Sequence, residues 1–61
     1  MKTYLEIIEK KTKSVVLRID VSEKSENAIF RTEMGMNINL NHEEYYTNQV
    51  ETENELPEIK Q

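Results

Sequence analysis

From Val15 the chain alternates, with Val15, Leu17, Ile19 and Val21 on one side of an extended backbone and Val16, Arg18 and Asp20 on the other. A period of two filled with β-branched residues predicts a strand that buries one face. Residues 1–8 repeat the pattern, Thr3, Leu5 and Ile7 opposing Lys2, Tyr4, Glu6 and Ile8. Between them Glu9-Lys10-Lys11-Thr12-Lys13 is polar and lacks the Asn-Gly pair of a two-residue turn, so a four- or five-residue hairpin loop is predicted. Two strands alone are unstable in water, and a third element must cover their apolar face.

Residues 22–35 are predicted to supply it as a helix. Ser22 and Ser25 are both candidate N-caps, Glu23 and Glu26 suit the positive end of a helix dipole, and Gly35 is the expected C′ residue. Ala28, Ile29, Thr32 and Met36 share a face, with Phe30 and Met34 to its side. Met36 to Asn41 alternates apolar residues with Asn and reads as a short extended segment or loop. Asn41 with Glu44 fits a capping box, but Tyr45-Tyr46-Thr47 favours extended backbone, so a third strand is predicted over residues 44–50. A right-handed crossover through the helix lays it parallel to the second strand, and its simplest place is beside the first, antiparallel to it. The predicted fold is α+β: a ββαβ domain over residues 1–50, its three-stranded antiparallel or mixed sheet in the order 2-1-3 with one helix packed on one face. Residues 51–61, with Leu56, Pro57 and Ile59 their only apolar side chains, are predicted to be a disordered acidic tail.

Charge supports that boundary. Of the net −4, residues 1–50 hold seven Lys/Arg against eight Asp/Glu, whereas residues 51–61 hold Glu51, Glu53, Glu55 and Glu58 against Lys60. The 61 residues include no Cys, which excludes a disulfide framework and a thiolate site and points to a reducing cytoplasm. Apolar runs stop at two or three residues, too short for a membrane span or a signal-peptide core.

The stretch Gly35-Met36-Asn37-Ile38-Asn39-Leu40-Asn41-His42-Glu43-Glu44-Tyr45-Tyr46-Thr47, with Arg18-Ile19-Asp20-Val21-Ser22 after the hairpin, resembles small proteins encoded by bacterial phages and prophages. The likeness spans roughly residues 1–50. It implies a bacterial cytoplasm and an accessory phage role, and it transfers no functional residue.

Catalytic chemistry finds little support. His42, Asp20 and a Ser at 22 or 25 have the composition of a triad, but no nucleophile-elbow glycines frame either Ser, and capping is the simpler role. Consecutive His42-Glu43-Glu44 does not converge on a metal as an HExxH helix turn does. The expectation is therefore a non-enzymatic protein with no catalytic, cofactor-binding or metal-binding residue and no cofactor.

Binding is better supplied. Tyr4, Val16, Tyr45 and Tyr46 are the candidate protein contacts: Tyr4, Ile8 and Val16 fall on the sheet face opposite the helix, and one of the adjacent tyrosines joins them there. Lys10, Lys11 and Lys13, at the hairpin tip, are candidate phosphate contacts for a weak nucleic-acid binder, with Arg18 and Tyr4 farther along the sheet. The acidic tail also raises the opposite idea, a mimic of nucleic-acid charge, for which −4 is weak. The leading expectation is a small module that binds a protein, itself included, without membrane or small-molecule substrate.

Overall fold

The structure is a computed structural model and describes residues 1–60. Strand β1 (Lys2–Glu9) and strand β2 (Val15–Asp20) form the hairpin; helix α1 (Glu26–Ile38) follows, and strand β3 (Tyr45–Thr52) returns to the sheet. The strand order is β2-β1-β3, with β1 antiparallel to both neighbours. This is the predicted α+β architecture.

Alternation along the strands sets the two faces. Leu5 opposes Ile19 on β2 and Gln49 on β3, while Tyr4 opposes Asp20 and Val50. Leu5, Val21 and Ile29 make the buried cluster beneath the helix, with Ile19 and Met36 packed against it. Leu17, expected to share this burial fully, is half-buried near the loop end of the hairpin, opposite Ile7.

The helix departs from its predicted limits at its C-terminal end. Ser25 is the N-cap: its hydroxyl accepts the Ala28 N–H at 3.2 Å. Ser22 instead binds the start of β1, accepting from Thr3 N–H at 2.9 Å. Gly35 does not stop the helix, which continues through Met36 to Ile38 and caps at Asn39. No positive φ occurs at Gly35, and continuation keeps the i→i−4 bonds that a C′ turn would forfeit. Asn41 does not form the reciprocal capping box: its side-chain Oδ1 accepts Glu43 N–H, its side-chain amide donates to the Glu44 carboxylate, and Glu44 N–H goes to the Asn41 backbone C=O. That geometry yields one turn, because the strand-forming tyrosines begin β3 immediately after it.

Two further differences matter for the surface. The β1–β2 register shifts between Ile7 and Ile8, so Val16 is an extra residue in β2. Residues 51–52 and 56–59 are also bonded to the sheet, contrary to the expected disordered tail. Strand β3 runs to Thr52, and residues 56–59 then cross to β2, where Arg18 N–H donates to Ile59 C=O at 2.8 Å and Ile59 N–H donates to Arg18 C=O at 3.1 Å. The physical cause is the demand of the second sheet face: the Tyr4 hydroxyl and the outward Arg18 backbone need partners, and Leu56 and Ile59 supply them. Gln61 lies outside the described residues.

Candidate interaction surface

The expected contact face is partly occupied by the chain itself. Tyr4 is only 1% exposed, and its hydroxyl accepts the Leu56 N–H at 2.9 Å. Tyr4 is therefore a core residue and leaves the set of candidate contacts. Beside it, the buried Glu6 carboxylate accepts from Arg18 Nε at 2.8 Å, and Arg18 also donates to Pro57 C=O at 3.1 Å. The chain beyond 52 thus tethers Arg18 and satisfies both it and Tyr4.

Val16, Tyr45 and Tyr46 remain half-buried. The β2 bulge turns Val16 toward the helix side, where Ile7, Val16, Leu17, Leu40 and Tyr45 line an apolar cleft of about 190 Å³. Tyr46 lies on the other face, with the Lys13 ammonium 5.8 Å from its ring centroid. The four expected contacts are consequently split among a core position, a cleft and the opposite face; they do not form one patch.

The lysine tip is held by local bonds. Glu9 N–H donates to Ser14 C=O and Lys13 N–H to Glu9 C=O, while Lys13 itself takes a positive φ of 61°. Lys10 Nζ donates to His42 C=O at 2.6 Å, and Lys13 lies over Tyr46. Glu9, Glu43 and Glu44 line the same recess as Lys10 and Lys11. Carboxylates beside the lysines weaken a phosphate field.

The triad residues have separate partners: His42 Nε2 is 2.9 Å from Asn37 C=O, and the Asp20 carboxylate accepts Ser22 N–H at 2.9 Å. Ser22, through its hydroxyl and its N–H, holds the Asp20 carboxyl below the usual carboxylate range, with Lys2 at 3.4 Å adding to the effect. Among the described residues no group of three His, Cys, Asp or Glu side chains is placed to hold a metal ion.

The largest exposed apolar feature lies on α1. Phe30, Met34 and Ile38 recur every fourth residue and are 62%, 50% and 78% exposed. Spacing of four sets them in one stripe along the helix. Phe30 and Met34 were legible as lateral to the buried face; Ile38 was hidden by the expectation that Gly35 ends the helix. Comparison with family models, curated proteins and solved structures finds no match. No helix is long and apolar enough to cross a membrane.

Proposed function

We propose that this chain is a small protein-binding accessory module with no chemistry of its own, working in a bacterial cytoplasm in the phage-related setting its resemblance implies. The observation that carries the reading is the Phe30, Met34 and Ile38 stripe, three large apolar side chains held in line on a helix surface. Isolated exposed apolar residues are ordinary, whereas an aligned set offers the contiguous apolar area a partner can bury. Nucleic-acid binding through Lys10, Lys11 and Lys13 ranks below it, since Lys10 is engaged with His42 and glutamates flank the tip.

Immobilised wild-type protein and the double variant Phe30→Asp/Met34→Asp test the reading in extract of the source cell. The wild type is expected to retain a protein that the variant loses, while the two melt alike. Equal retention by both would overturn it.

A further inference from the structure

The two outer edges of the sheet are finished differently. On β2, Val21 N–H donates to Thr3 C=O at 2.9 Å, so Arg18 and Asp20, at alternate positions, turn their backbone groups outward. The chain closes that edge itself: Arg18 exchanges both its backbone bonds with Ile59, and Asp20 N–H donates to the Glu58 carboxylate at 3.2 Å. On β3 the ladder continues from Lys10 N–H donating to Glu44 C=O at 2.8 Å, so Tyr46, Asn48, Val50 and Thr52 face β1. Tyr45, Thr47, Gln49 and Glu51 therefore point their N–H and C=O groups out of the sheet. Tyr45 N–H is taken by Asn41 C=O at 2.9 Å. Among the described residues nothing in the chain accepts from Thr47, Gln49 or Glu51 N–H.

This edge lacks most of the devices that discourage pairing, Glu51 being its one charge. Residues 45–52 contain no Pro and no Lys, and eight residues pair with β1 without a register shift. Of the apolar stripe, Phe30 stands beside it, since Gln49 lines one recess with Glu26, Ile29, Phe30 and Glu33.

We propose that a second copy of this chain binds here, β3 against β3 in antiparallel register about a two-fold axis at Gln49. The inference rests on the protein-binding reading and names its partner. In this register Gln49 meets Gln49, and Thr47 meets the second copy's Glu51, so all three outward N–H groups and their carbonyls are satisfied. Glu51, the one ionised side chain among the outward-facing residues, falls opposite a hydroxyl rather than a like charge. Lys13, over Tyr46, comes to the end where the second copy carries Thr52 and Glu53. Phe30, the stripe residue that shares a recess with Gln49, is brought toward its counterpart across the axis. The product is a six-stranded sheet whose outer edges are both the β2 edges already closed by residues 58 and 59. Self-pairing thus closes the assembly at two copies, as an isologous interface does. A foreign strand would satisfy the edge without producing a sheet closed at both ends by this chain's own residues 58 and 59.

Sedimentation equilibrium from about 1 µM to about 1 mM, a span covering weak to moderate association, reads the outcome together with amide exchange at each concentration. The mass is expected to rise from 7.3 kDa toward twice that value. The Thr47, Gln49 and Glu51 amides should gain protection in parallel, while the Arg18 amide is protected throughout. Gln49→Pro removes an N–H that serves no bond within the chain, at an edge position that tolerates Pro, and Phe30→Lys changes only an exposed side chain beside Gln49. Each should weaken association at least about tenfold with unchanged melting in dilute solution. A wild type that stays monomeric throughout overturns the proposal, and so does a dimer that both variants leave intact. A monomeric wild type that still retains a different protein through Phe30 and Met34 refutes the second copy alone and leaves the protein-binding reading standing.

Discussion

The two faces of the sheet bury similar side chains by different means. Under the helix, Leu5 is fully buried by Val21 and Ile29, but Ile7, Leu17 and Ile19 are only half-covered because one helix is narrower than three strands. On the opposite face no regular element packs, yet Tyr4, Glu6 and Ile8 are as buried as anything beneath α1. There the cover is a strap of irregular chain fastened by directional bonds: Leu56 N–H on the Tyr4 hydroxyl, Pro57 C=O on Arg18, and Ile59 on the Arg18 backbone. The helix face relies on apolar area, the strap face on satisfied polar groups. A domain of this size needs both, since one small core supplies only about 3–5 kcal/mol.

The sharpest way to break the helix face is Leu5→Ala. A fully buried leucine leaves a cavity costing ~2–5 kcal/mol, and the expected result is a largely unfolded protein by circular dichroism. Leu17→Ala, half-buried, should cost roughly half as much in the same series. Equal losses would mean the helix covers the face evenly.

On the strap face Arg18→Ala should cost about 3 kcal/mol, because it leaves the buried Glu6 carboxylate without its cation. The pair Glu6→Leu with Arg18→Met should recover most of that loss in a urea melt. If the single variant melts like wild type, the strap face contributes no ionic constraint. Ending the chain after Thr52 should cost a further-reduced amount, about 2 kcal/mol for the Arg18–Ile59 exchange and the Tyr4 hydroxyl bond. Amide shifts of residues 4 and 18 should move with it. A truncated chain with an unchanged spectrum would return residues 53–61 to the status of a solvated tail.

The smallest effect lies where the faces meet solvent, at the Lys2–Asp20 pair. The depressed Asp20 carboxyl contributes stability above the unfolded value near 3.9, and that contribution is lost as pH falls through its lower folded value. Lys2, raised chiefly by the Asp20 charge, contributes below its unfolded value near 10.4 and loses it as pH rises through the folded one. Carbon-detected titration should place the Asp20 midpoint below ordinary carboxylates, and Ser22→Ala should move it back upward. An Asp20 midpoint indifferent to that change would remove Ser22 as the cause.

Local pattern determined the elements and their pairing. The alternation of Thr3, Leu5, Ile7 and Leu17, Ile19, Val21 dictates which side of each strand is apolar, and β3 takes the simplest place left to it, beside β1 and antiparallel to it. Phe30 and Met34 were visible as lateral on the helix for the same reason, since the period of 3.6 is a property of the chain alone. What tertiary structure decided lies where local signals were balanced or weak. Gly35 reads as a stop, but unbroken backbone bonding carried α1 to Ile38 and completed the stripe. Val16 changed sides because a bulge inserts one residue, and a period of two cannot register an insertion that only the partner strand reveals. Leu56 and Ile59 are too few to announce an element; they order because Tyr4 and the outward Arg18 backbone, far away in sequence, offer apolar area and hydrogen bonds that only the assembled sheet brings within reach.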